Sequence, residues 1–289
     1  MRGSAAEMTT SSLDHLSLRD FRRLAQFIQD YSGIKMPETK KTMVEGRLRK
    51  RVTATGSAHL SDYCRHLFDE GGLAAETIHL IDVVTTNKTE FFREPEHFRI
   101  MADVALPQIV ADRRAGANTL IKVWSTASSI GAEPYTLAMV LADASQRLCG
   151  FRYNVLATDI STRVLETATI AIYPEAMIAP VPHDMRKRYL LRTKQASRGL
   201  VRIVPELRRT VQYGRLNLMD ATYPVDRDMD IIFCRNMLIY FDKPTQQAVL
   251  TRLCNHLRPG GYLFLGHSES LAGFGLPLKP AGNTVFRRE

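Results

Sequence analysis

The sequence has little of what marks membrane, secreted or metal-binding proteins. No apolar run approaches the roughly 20 residues of a membrane-spanning helix, and the first residues lack the apolar segment of a secretory signal. We expect residues 1–15 to be a disordered tail or an expression remnant. The four cysteines form no Cys-x-x-Cys pair and the eight histidines no His-x-x-x-His pair, which predicts reduced thiols, no metal site and a cytoplasmic location.

The sequence also lacks the Gly-x-Gly-x-x-Gly fingerprint of dinucleotide sites, internal repeats and low-complexity tracts. What it has is 289 residues with 45% hydrophobic content. This is enough for one large or two ordinary domains, each with a buried core.

Positive charge is concentrated near the beginning of the chain. The net charge is +9, and residues 19–51 contain ten Lys or Arg against four Asp or Glu. Such an excess predicts an acidic partner, which could be a nucleic acid, a membrane surface or an acidic protein. The alternative is a basic face that is merely solvated.

The hydrophobic periodicity changes along the chain. Residues 16–84 repeat apolar side chains at helical spacing, with Ser17 as a candidate cap and Gly33 ending the first helix. From residue 119 onward, short β-rich runs alternate with helical segments, which predicts a largely parallel α/β sheet covered on both faces. We therefore predict a helical domain (16–84), a linker with a connecting helix (85–118) and an α/β domain (119–289) with an insertion at 174–210.

One strand-to-helix turn resembles the start of a nucleoside pocket. In "VWSTASSIGAEPYTLAM" (123–139), small residues lead to Gly131, where backbone freedom allows close approach of a ligand. Glu133, near the positive end of the next helix, could receive a ligand ammonium group. Asp159 ends the second predicted strand, where it could accept two ribose hydroxyls. The alternatives are an ordinary turn and a helix cap.

Further polar residues follow the third and fourth predicted strands. Asn217 could contact an adenine edge, with Leu218 against the ring, in "NLMD". Arg235, Asn236 and Tyr240 cluster in "FCRNMLIYF", where a parallel sheet presents its ligand. A helical interpretation of "TTNKTEFFRE" (85–94) puts its two phenylalanines in a core.

Taken together, these segments resemble the CheR family of chemotaxis receptor methyltransferases. The resemblance covers about residues 16–287 and rests on the order and spacing of "TTNKTEFFRE", "GAEPYTLAM", "ATDIS", "GLVRIVPEL", "NLMD", "IFCRNMLIYF", "RPGGYLFLGHSES" and "TVF". It implies an all-α N-terminal domain followed by a Rossmann-like, class I methyltransferase domain with an inserted small antiparallel β-subdomain. It also implies S-adenosylmethionine as cofactor, S-adenosylhomocysteine as product, and methylation of glutamate side chains on the cytoplasmic helical bundles of chemoreceptors.

The resemblance also implies roles for individual residues. Arg93 and Tyr240 would orient the glutamate carboxylate and line the path of the methyl group. The implied cofactor contacts are Asn87, Thr89, Arg93, Glu133, Asp159, Asn217, Leu218 and Arg235, to which the sequence pattern adds Gly131 and Asn236. The chain departs from the family pattern at Ile130 and Ala132, where Thr and Glu are usual, which puts cofactor affinity in question.

The family docks its basic second helix on the acidic receptor bundle, which would here involve Lys40, Arg47, Lys50 and Arg51. In many members the inserted subdomain also captures a receptor tail peptide by strand addition. The strand-like segment "GLVRIVPEL" fits such an edge, but the basic loop "RTKQASRG" before it leaves tail capture open here. Two other functions remain as alternatives, namely a catalytically silent cofactor-binding module and a nucleic-acid methyltransferase. The basic helix lacks the base-stacking aromatics expected of the latter.

Overall fold

The computed structural model describes residues 14–192 and 199–289. The contacts divide the chain into two compact units. The first contains residues up to Gln29 together with Met36–Val84, and the second contains Asp30–Lys35 together with Thr85–Glu289. Most of the predicted tail, residues 1–13, lies outside the described residues, but the backbone N–H of Leu60 donates to the carboxylate of Asp14 (2.7 Å).

The first unit is helical, as the periodicity predicts. The side chain of Ser17 accepts a hydrogen bond from the backbone N–H of Asp20 (3.0 Å), which confirms its capping role. Val44, Leu48 and Val52 form the buried stripe of the second helix. The helices are α1 (Leu18–Ser32), α2 (Lys41–Ala54), α3 (Leu60–Phe68) and α4 (Leu73–Val84).

The segment 85–94 is not helical, so the helical interpretation of this stretch is wrong. Phe92 and Glu94 adopt left-handed backbone conformations (φ 53° and 56°), which interrupt any regular helix. Pro95 then begins the helix that follows, and a residue before proline is disfavoured in the right-handed helical region. Phe91 is fully buried, as expected. The connecting helices are α5 (Pro95–Ile100), a π-helical turn (Met101–Ala105) and α6 (Leu106–Asp112).

The second unit contains the predicted α/β sheet, in the order β6-β2-β1-β7-β8-β10-β9. Strands β6, β2, β1, β7 and β8 run parallel, and β10 pairs antiparallel with both β8 and β9. This arrangement confirms the Rossmann-like fold class. The strands are β1 (Leu120–Ser125), β2 (Arg152–Asp159), β6 (Val211–Arg215), β7 (Met229–Cys234), β8 (Leu257–Leu265), β9 (Leu278–Gly282) and β10 (Val285–Arg288), and the helices are α7 (Ala132–Arg147), α8 (Thr162–Ile170) and α11 (Lys243–His256).

A second, smaller sheet has the order β3-β5-β4 and is antiparallel. It confirms the inserted β-subdomain, although β3 begins at Ile172, ahead of the predicted start of the insertion. Residues 193–198 of the basic loop lie outside the described residues. The elements are β3 (Ile172–Pro174), α9 (His183–Tyr189), β4 (Leu190–Arg192), β5 (Leu200–Ile203) and α10 (Pro205–Arg208).

Within residues 14–192 and 199–289, no helix combines the length and apolar character needed to cross a bilayer.

Candidate active site

Polar residues collect at the carboxyl edge of the large sheet. Ser125 ends β1, Asp159 ends β2 and Arg235 follows β7. Strand β1 lies between the other two, and Ser125 is in register with Ala157 and Phe233. Because parallel strands present their carboxyl ends at one edge, this is where such a sheet binds ligands.

The turn after β1 is held by Asp159. Its carboxylate accepts hydrogen bonds from the backbone N–H of Ser129 (2.9 Å) and of Ser161 (3.0 Å). Gly131 then precedes α7 with φ 93°, a conformation that glycine adopts at low cost. Asp159 therefore organises both the turn and the residue before α8, while its contact with a ribose remains a prediction.

Arg235 is the centre of a buried ionic network. Its side chain is 2% exposed, and its guanidinium donates to Glu133 Oε2 (3.0 Å) and Glu94 Oε2 (3.1 Å). The same group also donates to the backbone carbonyl of Arg93. Ser125 Oγ donates to the other oxygen of Glu133 (2.7 Å). The Asn236 amide donates to Glu94 Oε1 (3.1 Å). The structure thus brings together three predicted site residues, Glu133, Arg235 and Asn236, and adds Glu94.

The two carboxylates that flank Arg235 differ electrostatically. Burial raises the pKa of Glu133 above its ordinary value, although Arg235 and Ser125 favour the charged form. Burial acts the same way on Glu94, but the charge of Arg235 and the amide of Asn236 outweigh it and lower the pKa of Glu94. The surroundings therefore favour the charged form of Glu94 more than that of Glu133.

Four residues with strained backbones surround this network. Phe92, Glu94, Ser129 and Asn236 have φ between 48° and 56°, a region that costs a non-glycine residue about 1–3 kcal/mol. Two of them flank Arg93, one lies in the turn after β1, and one follows Arg235. Such strain persists where the surroundings hold the backbone, and it concentrates at functional sites.

Besides Glu94, the sequence interpretation missed another buried carboxylate, Glu269. It is 6% exposed, and it accepts hydrogen bonds from the backbone N–H groups of Asn236 (2.9 Å), Leu238 (2.7 Å) and Gly266 (2.7 Å). Burial raises its pKa, against the effect of these bonds. Glu269 follows the carboxyl end of β8. Asp159 was selected because ligands bind at the carboxyl ends of parallel strands, and the same criterion could have selected Glu269. It fixes the loop that carries Asn236 and Tyr240.

Asn217 and Leu218 lie at the end of β6 and are buried. The Asn217 amide donates to the carbonyl of Tyr31 (2.6 Å), and its oxygen accepts from the N–H of Met219 (3.0 Å). Arg215 donates to the hydroxyl of Tyr31 (2.8 Å). These contacts hold residues 30–35 within the second unit, which the sequence pattern did not predict.

The other predicted site residues have mainly backbone partners. Asn87 lies beside the turn after β1, because its carbonyl accepts from Ser129 Oγ (3.2 Å). The Arg93 guanidinium donates to the carbonyl of Lys88 (3.1 Å), and the carbonyl of Tyr240 accepts from the N–H of Lys35 (3.3 Å). Thr89, Arg93 and Tyr240 are all half-buried.

Among residues 14–192 and 199–289, one group of side chains has metal-ligand chemistry. Ligand atoms of Glu94, His97 and His267 lie within 4.8 Å of one another. However, Arg235 donates to the same Glu94 oxygen, and its positive charge opposes a cation there. The expectation of no metal remains a prediction, and this charge supports it.

The four basic residues predicted to dock the receptor, in the first unit, differ in exposure and in their partners. Lys50 is exposed and Arg47 is half-buried, while Lys40, which the sequence placed in this helix, lies directly before α2 and is half-buried. Arg47 donates to the carbonyl of Val84 (2.6 Å). Arg51 forms a bidentate ion pair with Glu76 (2.6 and 2.9 Å). Of the four predicted docking residues, Lys50 is the most accessible.

Comparison with known proteins identifies the family. Residues 87–285 match the family described as "CheR methyltransferase, SAM binding domain", and residues 19–85 match "CheR methyltransferase, all-alpha domain". The chain is 40% identical to the chemotaxis protein methyltransferase of Salmonella typhimurium, over 94% of this chain and 90% of that protein. It is 35% identical to chemotaxis protein methyltransferase 2 of Pseudomonas aeruginosa, over 94% of each chain. With the buried network in the matched region, these similarities show that the chain belongs to the CheR family of S-adenosylmethionine-dependent chemotaxis methyltransferases.

Proposed function

We propose that this protein transfers the methyl group of S-adenosylmethionine to glutamate side chains on cytoplasmic helices of chemoreceptors. The observation that carries the proposal is the Arg235 network at the carboxyl edge of the sheet. It places carboxylates and a guanidinium where a zwitterionic amino-acid group could bind. The similar Salmonella and Pseudomonas proteins are named as chemotaxis methyltransferases.

The charges at the sheet edge fit a cationic nucleoside better than a dinucleotide. Glu94, Glu133 and Asp159 outnumber Arg235 there, which favours a ligand with an ammonium and a sulfonium and disfavours a pyrophosphate. Glu133 could hold the ammonium, since its side chain keeps 15% exposure. Arg235 Nε has no hydrogen-bond partner among the described residues, and it could donate to the ligand carboxylate.

Two buried hydroxyls supply further capacity for a polar ligand. Ser128 Oγ and Ser161 Oγ lack hydrogen-bond partners within the part of the chain that the structure describes. The N–H of Ser161 donates to the Asp159 carboxylate, and that of Ser128 donates to the carbonyl of Thr158, the residue before Asp159. A buried hydroxyl without a partner is costly, so a polar ligand there would be stabilised.

S-adenosylmethionine supplies an electrophilic methyl group, and a glutamate oxygen forms the new bond as the neutral thioether leaves. A receptor glutamate has a pKa of about 4.3 and is already ionised near neutrality, so no residue needs to act as a base. Arg93 orients the carboxylate, and Tyr240 lines the path between the carboxylate and the methyl group. Glu269 fixes the loop that carries Tyr240, which supports near-attack positioning.

The partner proposed for α2 is the acidic, glutamate-bearing face of the receptor bundle. Lys40, Arg47 and Lys50 would contribute long-range attraction to that surface. Arg51 is engaged with Glu76, so reversal of its charge would also weaken the first unit and would not report on docking alone.

The test is transfer of a radiolabelled methyl group to purified cytoplasmic receptor fragments from the same species. We expect label in the receptor that alkali releases as methanol, because carboxyl esters are alkali-labile. Receptor fragments with the methylated glutamates replaced by alanine should take up none. Alkali-stable label, or label in added nucleic acid, would contradict the proposal in favour of another acceptor.

The variant Glu133→Gln separates cofactor binding from acceptor choice. We expect it to weaken binding of S-adenosylhomocysteine at least tenfold, because the carboxylate proposed to hold the ligand ammonium becomes a neutral amide. Glu175→Gln, an exposed glutamate paired with Arg192, is the matched control and should bind normally. If the wild-type protein binds the product but methylates no receptor fragment, the silent-module alternative is favoured.

A further inference from the structure

Tyr173 of the small sheet contacts the turn after β1. This residue lies in β3 and is 1% exposed. Its hydroxyl donates a hydrogen bond to the backbone carbonyl of Ile130 (2.8 Å). Ile130 immediately precedes Gly131, so the bond holds the turn at its tightest point.

The ring of Tyr173 fixes two further parts of the site. It packs edge-to-face against Phe91 (5.1 Å between centroids) and against Tyr135 (6.3 Å). Phe91 belongs to the segment that carries Asn87 and Arg93, and Tyr135 lies in the first turn of α7. The Tyr173 ring therefore lies between the segment before the site and the helix that follows the turn.

Tyr173 packs so closely against the turn that no space remains for a side chain at Gly131. A Cβ atom added to Gly131 would lie 2.8 Å from the Tyr173 hydroxyl oxygen and 2.8 Å from that of Tyr213. Burial raises the pKa of Tyr173, so its hydroxyl stays protonated and can donate throughout the physiological range. The contact is permanent rather than switched by pH.

We propose that Tyr173 is a positioning residue for the cofactor, and that the inserted sheet sets cofactor affinity by holding the Ile130 carbonyl. The inference rests on the proposed binding of S-adenosylmethionine at this turn. It also accounts for the unusual Ile130, because the contact uses the main chain and is independent of the side chain at that position. The small sheet thus has a role in cofactor binding, whatever its outer edge contacts.

The test compares Tyr173→Phe with Tyr189→Phe by calorimetric titration with S-adenosylhomocysteine. Tyr189 precedes β4 of the same small sheet, and its hydroxyl donates to Asp143 (2.5 Å) rather than to the turn. We expect Tyr173→Phe to weaken binding roughly threefold to tenfold, as loss of one buried hydrogen bond does. Tyr189→Phe should leave affinity unchanged.

Kinetics separate positioning from general stability. For Tyr173→Phe we expect the KM for S-adenosylmethionine to rise while the KM for receptor stays unchanged and the Tm stays within a few degrees of that of Tyr189→Phe. Unchanged affinity in Tyr173→Phe would overturn the inference, as would equal losses of affinity in both tyrosine variants. If the wild-type protein binds no S-adenosylhomocysteine, the proposed function itself fails. If the wild type and Tyr173→Phe bind it equally well, only the inference about Tyr173 fails.

Discussion

Among single residues, Gly131 carries a strict requirement at the turn after β1, since it combines a left-handed backbone with contact on its side-chain face. Replacing it with alanine adds backbone strain and a steric overlap with two tyrosine hydroxyls. We expect Gly131→Ala to weaken S-adenosylhomocysteine binding at least tenfold, measured by calorimetric titration. Gly116→Ala is the control, because an added Cβ there meets no atom within 4 Å. Equal affinity of the two variants would contradict the placement of the cofactor at this turn.

His97 makes the stability of the protein depend on pH. Burial and the nearby charge of Arg235 lower its pKa from 6.5 to about 4, against the opposing effect of Glu94. Between these values the unfolded chain binds more protons than the folded chain, so stability is lost as the pH falls from 6.5 toward 4. The loss should reach about 2–3 kcal/mol of the free energy of unfolding.

Urea unfolding at several pH values between 4.5 and 7.5 checks this prediction. The variant His97→Gln removes the titrating group but can keep a hydrogen bond to Thr284, whose hydroxyl lies 2.9 Å from His97 Nε2. We expect a flatter pH dependence for this variant and the wild-type slope for His183→Gln, at an exposed histidine. Glu94, Arg235 and His267 face His97 and are the same in all three proteins. Identical slopes for His97→Gln and wild type would show that His97 does not control the effect.

At the scale of elements, the surface proposed to dock the receptor begins with Lys40, directly before α2, and continues along that helix with Lys50. Reversing Lys40 and Lys50 together should raise the KM for receptor severalfold, because each lysine would then repel an acidic bundle. Binding of S-adenosylhomocysteine should be unchanged. A receptor titration at fixed cofactor concentration measures the effect.

The matched control reverses Arg227 and Lys279, two exposed basic residues of the second unit. This double variant has the same net charge as the α2 variant. We expect wild-type receptor kinetics from it at moderate ionic strength. If the KM for receptor rises by the same factor in both double variants, net charge is responsible and the proposed docking through α2 is wrong.

The sequence predicted elements with strong periodicity and missed those fixed by local strain. Strands β1, β2 and β7 are apolar runs that end in polar residues, so both the sheet and its functional edge were predictable. The segment 85–94 contains helix-compatible residues, and only packing and Pro95 impose the left-handed conformations of Phe92 and Glu94. Glu94 therefore has no periodic signal, although its carboxylate completes the Arg235 network. Tyr31 and Tyr173 were also missed, because their partners lie far away in the sequence.

For the molecule as a whole, a net charge of +9 predicts that receptor binding depends on ionic strength while cofactor binding does not. The Debye length falls from about 10 Å at 0.1 M salt to about 3 Å at 1 M, so attraction between the basic α2 surface and an acidic bundle is screened. The Arg235 network is buried and is screened much less.

We expect the KM for receptor to rise severalfold between 0.05 and about 0.5 M NaCl, because salt screens long-range attraction. The affinity for S-adenosylhomocysteine should change less than twofold. Initial rates and calorimetry over the same salt series provide both quantities. The variant with Lys40 and Lys50 reversed has already lost the attraction, so its KM for receptor should be high and nearly independent of salt. A salt response equal to that of the wild type would assign the attraction to another surface.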